Sequence, residues 1–137
     1  MGVADILAQT PPFDALEREK LDQLATFATE SDVRAGTEVT HEGRYEGYVF
    51  VVVSGSVGIE REGRLVDTLG PGGFFGEIAA IDGGPRTATA RTLEDSRLVT
   101  ISHESFNEVI EATPDLRAAI TREMERRLAR MDSEATR

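Results

Sequence analysis

GPGGFFGEIAAIDGGPRTATART, residues Gly70 to Thr92, is the stretch on which the reading of this chain turns. Its six glycines and two prolines punctuate one short apolar run, and Glu77 and Arg86 stand in otherwise small or apolar company. Gly72 and Gly73 free the backbone ahead of FFGEIAAID, a run long enough for one or two helical turns. Gly76 lies near the start of that run, where the first N–H groups of a helical turn have no internal partner and point outward. Such an end binds phosphate or carboxylate. Gly83 and Gly84 break the turn, Pro85 fixes the approach to Arg86, and TATART resumes as a strand of small residues.

The two charges narrow the chemistry. Arg86 offers a planar fork of donors that suits a phosphate. An ionised Glu77 only accepts hydrogen bonds. A ligand touching both must therefore combine a phosphate with a nearby hydroxyl donor, as a ribose phosphate does. On the residues alone a second account stands beside this one: a glycine-rich turn closed by a structural Glu77–Arg86 ion pair.

Upstream, residues 1–30 read as helical. PFDALEREKLDQLATFATE places Phe13, Leu16, Leu21, Leu24 and Phe27 at roughly helical spacing with charges between them, which predicts an amphipathic helix packed on the domain. From Ser31 to Ser102 the chain is rich in Val, Tyr, Thr and Ile and is cut by glycine at short intervals, the pattern of short strands in a sandwich or barrel. YVFVVVSG is the most apolar strand and the expected central one, EREGRL reads as a hairpin tip turning at Gly63, and SRLVTIS is the last strand. Residues 103–137 return to helix. One helix is capped by Ser102, and a second starts at Pro114 with Thr113 as its cap. Leu116, Ile120, Met124, Leu128 and Met131 form one apolar stripe on that second helix.

At 137 residues the chain fits a single domain, 1–137, with one core. A net charge of −10 argues against a general nucleic-acid surface, which needs basic patches to release counterions. It says little about a small anionic ligand, because screening over about 8 Å lets one well-placed arginine dominate a site. Cysteine is absent, which removes disulfides, thiolate catalysis and Cys-ligated zinc. No apolar run spans a membrane and the N-terminus lacks a signal-peptide layout, so a cytoplasmic location without membrane contact is expected.

FGEIAAIDGGPRTATA resembles the phosphate-binding cassette of cyclic nucleotide-binding domains. Phe75, Gly76, Glu77, Ile78, Ala79, Pro85, Arg86, Ala88 and Thr89 match that family's pattern at its spacing, within a cassette at 74–90. The strands before it and the last two helices also resemble the family. The resemblance implies an α+β fold: an eight-stranded antiparallel β-barrel, a jelly-roll-like double-stranded β-helix, flanked by N-terminal helices and two C-terminal helices. It implies a regulatory module rather than an enzyme, with cyclic AMP or cyclic GMP as ligand and no metal. Arg86 would pair with the exocyclic phosphate oxygens and Glu77 would accept from the ribose 2′-hydroxyl. Backbone N–H groups from Gly76 to Ala79 and at Thr87 and Ala88 would ring the ligand. The final helix would be a lid, with Arg127 capping the base. Met131 falls where some relatives place a polar residue that reads adenine, a departure that leaves base discrimination open. A homodimer through the final helix and a monomer both stay open.

Other classes compete less well. A cupin-type enzyme needs clustered metal-binding histidines, whereas this chain has only His41 and His103, far apart in sequence. No GxxxxGK[ST] loop occurs, and Lys20 is the only lysine. A transcription regulator of the catabolite-activator kind would carry a helix-turn-helix beyond the lid, and the expectation is of no nucleic-acid contact from this chain. A degenerate dimerising scaffold is a further alternative, against which the intact Glu77 and Arg86 argue.

Overall fold

The computed structural model describes residues 2–11, 13–26, 28–41, 43, 47–75 and 88–135, with side chains of the last helix described at 114–123, 125, 126 and 129. Two short helices, α1 (Val3–Ala8) and α2 (Arg18–Ala25), flank a 3-10 turn at Phe13–Ala15. Eight strands follow: β1 (Thr29–Val33), β2 (Glu38–Thr40), β3 (Tyr48–Ser54), β4 (Val57–Arg61), β5 (Arg64–Leu69), β6 (Phe74–Phe75), β7 (Thr89–Thr92) and β8 (Ser96–Ser102). Helices α3 (His103–Ala112) and α4 (Pro114–Ala135) end the chain. Among the described residues no helix is long and apolar enough to cross a membrane.

The expected single amphipathic helix over the N-terminal segment is corrected to a 3-10 turn and a separate α2. Glu17 is extended at φ −64° and ψ 152°, which interrupts the helical path. Phe13, Leu16, Leu21 and Leu24 are nevertheless all buried, so the apolar spacing survives the break. Phe27 lies outside the described residues.

The strands form two four-stranded antiparallel sheets, in the orders β1-β8-β3-β6 and β2-β7-β4-β5. Among the described residues no ladder joins them, so the expected closed barrel is corrected to two facing sheets. Alternation of side chains across a strand explains the layering. Val49 and Val51 of β3, Val99 and Ile101 of β8 and Phe74 of β6 face the helices, packing with Phe13, Phe106, Leu116 and Ile120. Phe50 and Val52 of β3, Leu98 of β8 and Phe75 of β6 face the other sheet, meeting Val57, Ile59, Leu69 and Ala90. The first sheet is thus covered on both faces, which is why β3 reads as an unbroken apolar run. It lies inside its sheet, between β8 and β6, as expected of the most apolar strand.

Local signals placed the turns. Between β4 and β5, Glu62 and Gly63 have φ of 54° and 78°, the left-handed pair of a type I′ two-residue hairpin. Ser102 caps α3 by accepting a hydrogen bond from the Ser105 N–H. Thr113 sits at the cap position of α4, its carbonyl accepting from the Arg117 N–H at 3.1 Å. Its hydroxyl, however, is buried without a hydrogen-bond partner, so the expected side-chain cap is not made. On α4, Leu116 and Ile120 are 5% and 0% exposed and belong to the helix-side core. The side chains of Met124, Leu128 and Met131 lie outside the described residues.

Candidate functional site

The cassette is approached from two different sheets. On the entry side, Gly72 has φ +88°, a conformation that disfavours any side chain. Its N–H donates to the Val52 carbonyl at 2.8 Å, and the Val52 N–H donates to the Gly73 carbonyl at 2.8 Å. A Cβ on Gly73 would meet Leu69 Cβ at 2.9 Å and the Gly70 carbonyl oxygen at 3.0 Å. Glycine at both positions therefore lets the turn close tightly against β3. The chain leaves this turn along β6, where Phe50 and Phe75 pair in register. Their rings stack with centroids 4.9 Å apart and planes 15° apart.

On the exit side, Ala88 packs against the core between the sheets, and β7 begins at Thr89 between β2 and β4. Thr40 of β2 fixes this strand end with one hydroxyl. It donates to the Ala88 carbonyl at 3.4 Å and accepts from the Ala90 N–H at 3.1 Å. Thr40 is 4% exposed, so those bonds are made in a largely dry setting. Phe75 and Ala88 are thus the placed ends of the expected site, one on each sheet. Gly76, Glu77, Ile78, Ala79, Pro85, Arg86 and Thr87 lie outside the described residues, as do the side chains of Arg127 and Met131. Thr40 and Phe50, which contact these two ends, were not singled out by the sequence reading.

Several other charges are engaged in surface pairs. Arg97 bridges Glu30 at 2.5 Å and Asp32 at 2.8 Å, and its pKa is raised chiefly by the Glu30 hydrogen bond and then by Asp32. Arg18 contacts Asp5 at 2.9 Å and Asp22 at 3.1 Å. The Arg18 hydrogen bond, followed by that from the Gly2 N–H, lowers the Asp5 pKa. Arg91 lies 3.7 Å from Glu38 and 3.5 Å from Glu60 on the second sheet. Each histidine has a local partner: His41 pairs with Glu38, and His103 Nε2 lies 3.1 Å from the Tyr48 carbonyl. Among the described residues no three His, Asp or Glu side chains gather as a metal-holding group.

Residues 30–113, which include both placed ends and everything between them, match the family model described as cyclic nucleotide-binding domain. The chain belongs to the cyclic nucleotide-binding domain family. A CRP-like cAMP-activated global transcriptional regulator of Mycobacterium tuberculosis is 30% identical over 134 residues, covering 94% of this chain and 60% of that protein. The chain therefore spans about three fifths of that curated relative's length. The regulatory domain of Toxoplasma gondii PKA, crystallised with cAMP, is 27% identical with a TM-score of 0.75, covering 90% of this chain and 47% of that one. The cAMP-bound PfPKA-R structure has a TM-score of 0.87 at 19% identity, covering 96% of this chain and 46% of that one, a likeness of fold.

Proposed function

We propose that this domain binds a 3′,5′-cyclic nucleotide, cyclic AMP or cyclic GMP, and acts as a regulatory module without catalytic activity of its own. The observation that carries the reading is the family match over residues 30–113, within which Glu77 and Arg86 stand at the cassette's spacing. Arg86 pairs with the cyclic phosphate and Glu77 accepts from the ribose 2′-hydroxyl. The backbone around Gly76, Ile78, Ala79, Thr87 and Ala88 rings the sugar phosphate, while Phe75 and Pro85 hold the ends of the loop. The far half of α4 is the lid, with Arg127 over the base and Met131 beside it, and its position changes when ligand binds. No metal enters this scheme, and a cytoplasmic setting suits such a ligand.

Titration calorimetry with cyclic AMP and cyclic GMP tests the reading. A charge-assisted hydrogen bond contributes roughly 1.5–3 kcal/mol, so Arg86→Ala weakens binding by about tenfold or more. Equal affinities in the two forms remove Arg86 from the site. No binding by the unaltered chain favours a scaffold without ligand. A second reading, the sensor part of a transcription regulator, is favoured by the alignment of 94% of this chain with 60% of the mycobacterial regulator. The full reading frame of the gene tests that. Light scattering with and without nucleotide decides between a monomer and a homodimer through α4.

A further inference from the structure

Three strand ends meet at one corner of the first sheet. β1 finishes at Val33 opposite Ser96, where β8 begins, and β3 finishes at Ser54 opposite Arg97. A cleft of about 410 Å³ opens there, within the range of about 300–1,000 Å³ usual for small-molecule sites. Buried hydroxyls hold its walls. Thr92 donates to the Arg34 carbonyl at 2.6 Å and accepts from the Thr37 N–H at 2.9 Å. Ser96 accepts from the Ser56 N–H at 3.2 Å and donates to the Glu94 carbonyl at 2.8 Å. Gly55, at φ +90°, seats the β3–β4 turn on Ser96, and a Cβ there would meet Ser96 Oγ at 2.2 Å. The walls are therefore fixed before a ligand arrives, which lowers the cost of binding one.

The charges in the cleft are Asp32, Arg34, Asp95 and Arg97. Arg97 is engaged by Glu30 and Asp32. Arg34 and Asp95 are not matched in this way. Asp95 accepts from the Ala35 N–H at 2.9 Å, which holds its carboxylate beside the residue that follows Arg34. Yet the two make no ion pair with each other, and among the described residues the Arg34 guanidinium has no partner. A cation and a carboxylate thus stand close together, unjoined, in one rigid cleft. A small ligand satisfies both when it carries a carboxylate and an ammonium on one carbon.

The cleft is remote from the cassette. β6 leads into the cassette from the opposite edge of the sheet β1-β8-β3-β6, three strand spacings or roughly 14 Å from β1. Phe75 pairs with Phe50, four residues before Ser54 on β3 and so roughly 13 Å along the strand. Ala88 precedes β7 and Asp95 follows it. Val33 packs on the core between the sheets, but at this far end, and among the described residues none of α4 lines the cleft.

We propose that this cleft is a site for a free α-amino acid, distinct from the cyclic nucleotide site. The Arg34 fork takes the α-carboxylate through paired donors. Asp95 accepts from the α-ammonium with the oxygen that the Ala35 N–H does not use, and the Ser54 hydroxyl meets a polar side chain.

The test is an amide NMR titration of the whole chain at fixed ionic strength with three matched probes. L-glutamine is the zwitterion, glutaramate is the same molecule without its ammonium, and 4-aminobutanamide is the same molecule without its carboxylate. L-glutamine is expected to give shifts at Ala35, Gly55 and Arg97 that saturate below about 1 mM, with each control at least about tenfold weaker. Arg34 and Asp95 are exposed, so Arg34→Gln and Asp95→Asn keep the folded spectrum, and the Asn oxygen still serves the Ala35 N–H. Each substitution is expected to weaken L-glutamine by about tenfold or more. In Asp95→Asn it then binds no better than glutaramate, and in Arg34→Gln no better than 4-aminobutanamide. Saturating cyclic AMP is expected to leave the shifts in place, and the result holds whether or not cyclic AMP itself binds. The proposal is overturned by an absence of saturable shifts at those residues, by equal binding of either control to the unaltered chain, by a preference for the zwitterion that survives in either variant, or by displacement of L-glutamine with cyclic AMP.

Discussion

Phe74 and Phe75 are neighbours in the chain but belong to different cores. Phe74 meets Phe13 edge-on, with centroids 5.7 Å apart and planes at 73°, whereas Phe75 stacks on Phe50 in the space between the sheets. Strand alternation enforces the split, and it places the two rings on either side of the sheet at the start of the cassette. Both are nearly inaccessible, at 5% and 4% exposure.

Truncating either ring is therefore costly, by about 3–5 kcal/mol in urea unfolding of the Ala variants. The functional effects diverge. Phe75→Leu keeps apolar volume but loses the stacked pair, worth about 0.5–1.5 kcal/mol beyond its area. It is expected to weaken cyclic nucleotide binding more than Phe74→Leu does, because Phe75 adjoins the proposed loop from the inter-sheet side. Calorimetry on both leucine variants reads the difference, and equal affinities would show that the stacked pair supports only the fold.

Thr40 provides a second test of how the site is held. Its hydroxyl serves Ala88 and Ala90 on either side of Thr89. Thr40→Val preserves shape but leaves the Ala90 N–H without this acceptor, at a cost of about 1–3 kcal/mol for an unsatisfied buried group. Thr40→Ser retains the hydroxyl and should recover most of that loss. Denaturant unfolding of both variants checks this, and a Val variant as stable as the unaltered chain would show that the hydroxyl does not hold β7.

The strands and their turns were legible because their signals are local. The apolar run of β3, glycine at the β4–β5 tip and Ser102 before α3 each act over a few residues. Sheet closure was not legible, since it depends on which distant edges meet. The break before α2 was hidden because Leu16, Leu21 and Leu24 keep a buried spacing on both sides of the extended Glu17. The cassette was readable from spacing because its chemistry lies within one segment. Thr40 was not, since it acts on a strand 48 residues away from a short strand with no distinctive composition.

The Asp5–Arg18 pair should show a simple pH signature. Arg18 lowers the Asp5 pKa from its ordinary 3.8, so the folded state favours the ionised carboxylate. The stabilisation is present above the unfolded value and is lost as pH falls through the lower folded value. Asp5→Asn should therefore be slightly less stable near neutrality, where the ion pair is formed, and converge with the unaltered chain in acid, so its thermal stability falls less as pH drops through about 4; the difference is small because exposed pairs contribute weakly. Acid profiles that superimpose for the two proteins would show that the pair carries no linkage.

The proposed role of Glu77 leads to a test on the ligand as well as on the protein. A carboxylate facing the ribose makes a charge-assisted hydrogen bond with the 2′-hydroxyl, worth roughly 1.5–3 kcal/mol. A 2′-deoxy cyclic nucleotide should then bind the unaltered domain about tenfold or more weakly than its ribose counterpart. In Glu77→Gln the neutral amide oxygen still accepts but the charge is gone, so the ribose nucleotide loses affinity and the deoxy penalty shrinks. The deoxy nucleotide should lose less from the substitution, since it never made that bond. The four affinities form a cycle whose coupling term isolates the Glu77–hydroxyl contact from any general loss of loop order. A deoxy penalty of the same size in both proteins would assign the hydroxyl to another acceptor and leave Glu77 with a structural role, closing the loop through Arg86.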